Sequence, residues 1–239
     1  MKKIFLSVLT VLMAVAGSSQ TQDDSPGSVT IRKCSDFTIT GNGSSDVWST
    51  TEWILLTPHE PGVTGYETKV KVLYSVKGIY FLYHCQDGKL TNTIHDDNMN
   101  LWEEDVVELF LWTSEDFPVY FEYEISPTDF ELPIMVPNYK GRFLGWLPWN
   151  YAGDRRIIHA TAVTGGPKEG GALVTGWTAE FFIPYKLLNP LPQVPPVSGT
   201  KWRANMYRID YDNDPVHFSW QRTQRTFHEY TNFGTFIFE

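Results

Sequence analysis

The stretch that decides the fold is Asp105-Val-Val-Glu108-Leu-Phe-Leu-Trp112, in which most positions are apolar. In an extended strand, side chains alternate between two faces, so Leu109 and Leu111 point to one side. Glu108 and Phe110 share the other side. One face can therefore enter a hydrophobic core, while the other places a carboxylate among apolar neighbours, where it needs a partner or a ligand because an unpaired buried charge is costly.

Short runs with the same period-two alternation recur on both sides of this stretch, separated by Gly, Pro, Asn and Asp. The runs cover residues 66–76, 78–86, 105–113, 119–126, 156–163, 173–183, 201–211 and 234–238. Helix signals are few, and the clearest is Pro184-Tyr-Lys-Leu-Leu188, where proline in the first turn predicts one short helix. The pattern predicts an all-β fold, an antiparallel β-sandwich, as a single domain over residues 29–239.

The composition excludes several classes of protein. The chain has 239 residues with 15 Phe, 12 Tyr and 9 Trp, which is enough apolar material for a substantial core and argues against a disordered chain. Its formal net charge is −9, so its surface repels phosphate backbones and anionic lipid headgroups. We therefore expect neither nucleic acid nor a membrane as a partner.

The N-terminus has the pattern of an export signal. Two lysines precede an apolar run from Ile4 to Ala16, which is too short to span a bilayer comfortably. We expect residues 1–16 to be a signal peptide, residues 17–28 a flexible leader, and the mature protein to be periplasmic or extracellular without membrane insertion. An exported protein can form disulfides, but the pattern leaves open whether Cys34 and Cys85 pair.

A second acidic strand follows at Tyr120-Phe-Glu122-Tyr-Glu124-Ile-Ser126-Pro127, with both glutamates and the serine on one face. The two glutamates are two strand steps apart, about 6.6–7 Å between Cα atoms, which overlaps the carboxylate separation of inverting glycosidases. A glycoside hydrolase using Glu108, Glu122 or Glu124 therefore stays open. The simpler interpretation is an acidic ladder on a solvated or cation-paired face.

The simpler interpretation of Glu108 is likewise a salt bridge, with Arg203 or Arg208 as the candidate partners on a later strand. This interpretation and a ligand-binding role predict different surroundings for the carboxylate.

Two acidic clusters are candidate metal sites: Asp210-Tyr-Asp212-Asn-Asp214 and Asp96-Asp97. The first begins like a calcium loop, but Pro215 stands where an EF-hand needs glycine and Gln221 where it needs glutamate. A looser calcium site and a solvated turn both remain possible for each cluster. The six histidines show no zinc-ligand spacing.

A long segment from Tyr139 to Tyr151 is rich in aromatic residues, including Trp146 and Trp149. Loops longer than a hairpin requires are often functional, so this segment is a candidate extension of a ligand site or a surface that meets another protein. It could equally cover the site or pack over an open end of the sandwich.

Five segments together resemble carbohydrate-binding module family 9, in particular its stand-alone exported bacterial relatives. They are Leu101-Trp102-Glu-Glu-Asp105-Val-Val-Glu108-Leu-Phe-Leu111, Tyr120-Phe-Glu-Tyr-Glu-Ile-Ser-Pro127, Gly176-Trp-Thr-Ala-Glu180-Phe-Phe-Ile-Pro184, Trp202-Arg-Ala-Asn-Met-Tyr-Arg208 and Asn232-Phe-Gly-Thr-Phe-Ile-Phe238. The resemblance implies an antiparallel β-sandwich, structural calcium, and a sugar held between two tryptophans with its hydroxyls bonded to strand residues.

Carried over by motif, Trp102 would be one aromatic platform, Glu108 a hydroxyl acceptor, and Trp220 the second platform. Glu124 and Ser126 stand where the family has Arg and Asn, and Arg142 or Arg222 would then substitute for the missing cation. The remaining tryptophans are expected in the core or at its edge; these are Trp48, Trp53, Trp112, Trp177 and Trp202.

We therefore expect a monomeric protein that binds a glycan, such as xylan or another polysaccharide, without catalysis, in support of carbohydrate degradation or uptake. The predicted ligand-binding residues are Trp102, Glu108, Glu124, Ser126, Arg142, Trp146, Trp149 and Trp220, and the predicted calcium ligands are Asp96, Asp97, Asp210, Asp212 and Asp214. The alternatives are the glycoside hydrolase and a partner-binding protein that would not respond to sugar.

Overall fold

The computed structural model describes residues 26–59 and 66–239. The predicted signal peptide, residues 1–16, and most of the predicted leader, residues 17–28, lie outside the described residues. Within the described part of the chain, no helix is long and apolar enough to cross a membrane.

The regular secondary structure of the described chain is almost entirely β-strand. They are β1 (Ser28–Lys33), β2 (Ile54–Pro58), β3 (Thr68–Tyr74), β4 (Gly78–Gln86), β5 (Val106–Trp112), β6 (Val119–Ile125), β7 (Glu131–Tyr139), β8 (Arg142–Phe143), β9 (Leu147–Pro148), β10 (Ile158–Thr164), β11 (Gly176–Pro184), β12 (Lys201–Asp210), β13 (Val216–Ser219) and β14 (Gly234–Phe238). One short helix, α1 (Tyr185–Leu188), follows Pro184, and single 3₁₀ turns span Asp46–Thr50, Leu101–Glu103, Gly153–Arg155 and Tyr230–Asn232. The all-β prediction is confirmed.

The strands form one continuous hydrogen-bonded network. Six of them close into a ring in the order β3, β1, β14, β12, β13, β2 and back to β3. Two sheets extend from this ring. The opposite sheet continues from β3 through β4 and β11 to β10, and the site sheet continues from β12 through β5 and β6 to β7.

This closure corrects the expectation of a purely antiparallel sandwich. Residues 28–31 of β1 pair in parallel with β14, and residues 32–33 of the same strand pair in parallel with β3. One strand therefore belongs to both sheets and joins them, whereas the other strand pairs of the described chain are antiparallel. Closing the network in this way removes free sheet edges that would otherwise be exposed to pairing.

The main core lies between the site sheet and the opposite sheet. Leu109 and Leu111 of β5 face it from one side, and Phe81 of β4 and Phe181 of β11 face it from the other. The aromatic rings of Tyr123 and Phe181 meet across the two sheets at a centroid distance of 4.8 Å. The predicted alternation on β5 is confirmed, so Glu108 and Phe110 are on the outer face of the site sheet, where a second apolar cluster lies.

A buried arginine connects the two sheets at one end of the main core. The Arg208 guanidinium donates to Asp210 Oδ2 at 2.7 Å and to Asp87 Oδ2 at 3.0 Å, and it also donates to Thr68 Oγ1 at 3.0 Å. All these groups are buried. Because Arg208 points into the main core, it cannot be the salt-bridge partner considered for Glu108.

Both cysteines are free thiols, and Cys85 is fully buried in the main core. Cys34 and Cys85 therefore do not form a disulfide, which answers the question that the sequence left open. Burial raises the pKa of the Cys85 thiol to about 12, so it stays protonated and behaves as a small apolar side chain.

Candidate functional site

A cavity of about 690 Å³ lies on the outer face of the site sheet. Its floor comes from β5, β6, β7 and β12, and its walls come from the loops around residues 102, 143–146 and 222–228. The lining residues are His59, Trp102, Glu108, Phe110, Glu122, Glu124, Ile134, Phe143, Trp146, Ile209, His217, Arg222, Thr223, Gln224, Arg225, Thr226, Phe227 and His228. The volume lies within the range of about 300–1,000 Å³ that is typical of small-ligand pockets.

Strand register brings three carboxyl groups together on this floor. Glu108 of β5 lies directly opposite Glu124 of β6, and Glu122 lies two residues along the same face of β6, opposite Phe110. One oxygen of each carboxyl group lies within 4.8 Å of an oxygen of both others. The alternation that places each glutamate on the outer face therefore also places all three beside one another.

The three carboxyl groups are buried, with relative exposures of 3% for Glu108, 3% for Glu122 and 1% for Glu124. Burial raises the pKa of the Glu108 carboxyl to about 8. Burial, reinforced by repulsion from Glu108, raises the pKa of Glu122 and of Glu124 well above the ordinary value. The site therefore resists accumulating three negative charges.

The carboxyl cluster has few partners among the described residues. Glu122 Oε2 and Glu124 Oε2 are buried and accept no hydrogen bond. The nearest basic group is His228, whose Nδ1 is 3.8 Å from Glu122 Oε2 and is also 2.7 Å from the Tyr120 hydroxyl. Burial lowers the pKa of His228 to about 4, so its ring is neutral at pH 7 and leaves the carboxyl cluster without a compensating charge.

The salt bridge considered for Glu108 does not form. Arg203 instead binds Glu115 at 2.9 Å, and its guanidinium also donates to the Phe233 carbonyl. Neither the solvated nor the cation-paired interpretation of the acidic strand face fits, because all three carboxyl groups are buried and no lysine or arginine of the described chain pairs with them.

One wall of the cavity is an aromatic corner formed by Trp102 and Trp146. Their ring centroids are 6.1 Å apart and their planes are inclined by 78°, so the two rings meet edge to face. Trp102 lies on the 3₁₀ turn before β5, where its carbonyl accepts the Tyr211 hydroxyl at 2.7 Å. Trp146 lies on the loop between β8 and β9 and is 36% exposed, so a face of this corner is available to a ligand.

The facing wall is formed by residues 222–228. Phe227 stacks on Tyr207 with a centroid distance of 3.9 Å and an angle of 12°. His228 is held between two rings, at 5.3 Å from Phe110 and 4.4 Å from Phe143. This stack fixes the imidazole position, so the wall is rigid on the side that faces Glu122.

Two arginines line the mouth of the cavity on the same segment. Arg225 pairs with Glu229, which also accepts its backbone N–H, and its side chain is largely exposed. Arg222 is exposed and lines the cavity, as the sequence allowed. Both arginines therefore add positive charge to the lining of the cavity.

The structure gathers Trp102, Glu108, Glu124 and Trp146 into one site, and it places the other four predicted binding residues elsewhere. Trp220 differs most from its predicted position as the second aromatic platform, since its ring packs on Phe236 of the main core with a centroid distance of 5.6 Å. A Cβ at Gly234 would come within 2.4 Å of the same indole, so only glycine allows β14 to pass it. Trp220 is therefore not among the residues that line the cavity with Trp102.

The remaining three residues lie outside the cavity for different reasons. Trp149 donates its indole N–H to the Leu187 carbonyl at 3.1 Å and packs against the main core. The Ser126 hydroxyl accepts the Phe130 backbone N–H and is buried at the end of β6. Arg142 is exposed on β8 and does not line the cavity.

The predicted calcium ligands are partly engaged by other groups. Asp210 is paired with Arg208, Asp212 Oδ2 accepts the Tyr66 hydroxyl at 2.9 Å, and Asp97 accepts the Glu131 backbone N–H at 3.0 Å. Within residues 26–59 and 66–239, neither cluster brings three acidic or histidine side chains to metal-ligand spacing. The structure thus gives these aspartates no ready-made carboxylate cage, and calcium binding by them stays a prediction.

Several lining residues were not among the predicted binding residues, for example Phe143, Phe227 and His228. The family resemblance points to the segment before Phe233, and the residues of that segment that line the cavity include Phe227 and His228 but not Trp220. The sequence offered Glu122 as a catalytic carboxylate or as part of an acidic ladder, and not as a residue that binds a ligand. The other tryptophans lie as expected except Trp53, which is 39% exposed and has Lys71 over its ring.

Residues 39–132 match the model of a family described as carbohydrate family 9 binding domain-like. This segment includes Trp102 and the three glutamates, and the resemblance drawn from the sequence motifs is confirmed. No curated protein sequence matches the chain significantly.

Solved structures extend the likeness to most of the chain. A candidate carbohydrate-binding protein from Bacteroides uniformis is 18% identical, with a TM-score of 0.73 over 90% of this chain and 100% of that one. A family 9 module from Caldicellulosiruptor kristjanssonii in complex with cellotriose is 15% identical, with a TM-score of 0.62 over 89% and 93% of the chains. The same type of module with glucose is 16% identical and has a TM-score of 0.62 over 89% and 95%. At these identities the likeness establishes a shared fold.

Proposed function

We propose that this chain binds a carbohydrate, without catalysis, in the cavity on the outer face of the site sheet. The observation that supports this most directly is the aromatic corner of Trp102 and Trp146 beside the buried carboxyl groups of Glu108 and Glu124. The family 9-like segment supplies Trp102 and all three floor glutamates.

The chemistry of a sugar matches this lining. A pyranose has an apolar C–H face that packs on an aromatic ring, and a rim of hydroxyl groups that must be paired once water is removed. An indole face and carboxyl oxygens within one cavity satisfy both requirements. A carboxyl group also accepts hydrogen bonds from two neighbouring hydroxyls, which gives the site orientation as well as affinity.

The corner differs from a sandwich of two parallel indoles. Because Trp102 and Trp146 touch edge to face, a sugar would stack on one exposed indole face with the second ring bordering it. We therefore propose Trp146, rather than Trp220, as the second aromatic residue of the site.

Neighbouring structures support a sugar as the ligand class. The similar modules from Caldicellulosiruptor kristjanssonii were solved with cellotriose and with glucose. We propose a poly- or oligosaccharide ligand, and the N-terminal pattern supports a role outside the cytoplasm in carbohydrate degradation or uptake.

The hydrolase alternative has one observation in its favour, since raised carboxyl pKa values are typical of general acids. A glycosidase, however, needs one group that stays protonated and a second that stays ionised. Here burial raises the pKa of all three carboxyl groups, so no division of roles is built into the site. Reducing-sugar release by the wild-type protein, abolished by Glu122→Gln or Glu124→Gln, would establish the hydrolase instead.

The test of binding uses two tryptophans of the same aromatic segment. Affinity gel electrophoresis on soluble polysaccharides, including xylan and β-glucan, and calorimetry with cellotriose would identify a ligand. Trp146→Ala should then weaken retention, since it removes a lining ring, whereas Trp149→Ala should leave affinity unchanged because Trp149 lies outside the cavity. Equal loss in both variants, or no retention on any sugar by the wild-type protein, would contradict the proposal.

A further inference from the structure

The floor of the cavity is an unusual environment for three acidic side chains. Glu108, Glu122 and Glu124 are each at least 97% buried, and their oxygens converge on one point. Apolar side chains, including Phe110 and Ile134, line the cavity beside them. Burial at such a place is expensive for an ionised carboxylate unless a positive group or a proton compensates it.

Among the described residues, no lysine or arginine forms an ion pair with these three carboxyl groups. Glu122 Oε2 and Glu124 Oε2 are buried and without a hydrogen-bond partner, although both side chains line the cavity. His228 is the closest base, but its Nδ1 lies 3.8 Å from Glu122 and is shared with the Tyr120 hydroxyl. The unpaired oxygens of these two carboxyl groups are therefore available to bind a ligand at the cavity floor.

We propose that Glu108, Glu122 and Glu124 bind one divalent cation of the size of Ca²⁺ at the floor of the cavity. This site is separate from the aspartate clusters that the sequence suggested, and it is formed by different strands.

The spacing of the oxygens fits such an ion. Calcium–oxygen distances are about 2.3–2.6 Å, so two ligands of one Ca²⁺ can be up to about 4.6–5.2 Å apart. The three glutamate oxygens lie within 4.8 Å of one another, inside this limit. Mg²⁺ demands near-ideal octahedral geometry and gives up its bound water reluctantly, so we expect it to bind more weakly to this floor.

The charge and the remaining coordination positions also fit. Three carboxylates offset the double charge of the ion and leave only one net negative charge in the floor. Calcium takes about six to eight oxygen ligands, and the protein side chains supply three to six of them, depending on bidentate contact. The other positions face the cavity, where water or hydroxyl groups can reach them.

This geometry gives the cation a role in recognition, which rests on the proposed sugar binding. Neighbouring hydroxyls of a sugar ring are hard oxygen ligands of the kind that Ca²⁺ prefers. The cation would thus hold the polar edge of the sugar while the corner of Trp102 and Trp146 packs on its apolar face. The cation site itself does not depend on this role.

The competing arrangement is a cluster that shares protons and binds no metal. Calorimetry with CaCl₂ on the chelator-stripped full chain distinguishes the two. We expect Ca²⁺ binding that is tighter than Mg²⁺ binding, and a loss of affinity on the order of 100-fold in Glu124→Gln and in Glu108→Gln, because each substitution removes a charged ligand.

Matched controls come from the aspartate clusters. Asp214→Asn and Asp97→Asn should leave this binding event unchanged, and circular dichroism checks that each variant is folded. Glu122→Gln is a third, independent readout if one of the other two variants does not fold. An absence of Ca²⁺ binding by the wild-type protein, or a Ca²⁺ titration that is identical in the wild type and in all three glutamate variants, would overturn the cation site.

Sugar retention measured with and without EDTA separates this inference from the proposed function. Retention that requires Ca²⁺ supports the role of the cation. Retention that is unchanged in EDTA, in a protein that does bind Ca²⁺, would refute that role. A protein that binds Ca²⁺ but no sugar would refute the proposed function and leave the cation site in place.

Discussion

Replacing Trp102 with alanine is the most informative single perturbation, because it separates a binding residue from a core residue. The side chain lines the cavity and meets Trp146 edge to face. Its backbone carbonyl, which accepts the Tyr211 hydroxyl, is retained in alanine. The substitution therefore removes one aromatic contact and one ligand-facing surface while the local hydrogen bond persists.

The expected magnitudes differ between affinity and stability. Loss of a central aromatic contact typically costs about 2–4 kcal/mol of binding, which is roughly 30- to 1,000-fold in affinity. Loss of one edge-to-face ring pair costs about 0.5–1.5 kcal/mol of folding free energy. For a chain of this size, about 1 kcal/mol corresponds to a shift of about 2–4 °C in Tm.

Trp202 provides the matched control in the main core. It is 1% exposed, packs on Phe238 at 4.7 Å, and donates its indole N–H to the Gln193 carbonyl at 3.3 Å. Trp202→Ala should therefore cost about 3–5 kcal/mol of stability, since it leaves a large cavity, while binding by the folded fraction is retained.

Calorimetry with the sugar that the wild-type protein retains, together with thermal unfolding, measures both quantities. We expect Trp102→Ala to lose affinity with a small change in Tm, and Trp202→Ala to do the reverse. If Trp102→Ala unfolds the protein, or if it binds sugar as tightly as the wild type, then Trp102 is a core residue and the assignment of the site is wrong.

Three further perturbations test the buried charges. Arg208→Met leaves Asp87 and Asp210 buried without their cation and should cost about 3–5 kcal/mol in urea unfolding, so an unchanged midpoint would show that these carboxylates are compensated otherwise. The pKa of His228 is about 4 in the folded protein and about 6.5 in the unfolded chain, so between these pH values the unfolded state binds the extra proton. The free energy of unfolding should therefore fall by up to about 3 kcal/mol as the pH drops from 6.5 to 4. His228→Gln should lack this loss, and an identical pH profile in both proteins would contradict the prediction. The pKa of Glu108 is raised on folding, so its protonated form stabilises the folded state. With EDTA present to remove bound metal, this contribution to the free energy of unfolding is complete below about pH 4.5 and is lost as the pH rises towards 8. Glu108→Gln should make the loss of stability over this pH range smaller, and a larger loss in the variant would refute the prediction.

Local patterns predicted the strands that have regular alternation. The run over residues 78–86 coincides with β4, the run over residues 234–238 coincides with β14, and the short helix after Pro184 forms as expected. Strands β1, β2, β7, β8, β9 and β13 were missed. Of these, β1, β2 and β13 belong to the closed ring, where pairing depends on distant segments of the chain rather than on a repeating pattern within each strand. The parallel pairing of β1 with β14 joins chain segments about 200 residues apart, which no local signal specifies.

For the candidate site too, the sequence predicted the local features and not the contacts between distant segments. Alternation placed Glu108, Glu122 and Glu124 on the outer faces of β5 and β6, and the Trp102 motif identified the adjoining turn. Nothing in that pattern shows that the face is covered. The covering comes from two distant loops, which supply Trp146 on one side and Phe227 on the other.

This covering decides how the carboxylates behave. On an open sheet face, water would solvate all three groups, and they would form the ordinary acidic ladder that the sequence suggested. Beneath Phe143, His228 and the Trp146 loop, the same three groups lose water and gain no arginine or lysine, so each added negative charge becomes harder to hold. A ligand that brings positive charge or hydroxyl donors relieves this cost, whereas an anionic ligand on the floor would increase it. The ligand that fits the floor is therefore a cation, a neutral polyol, or both together.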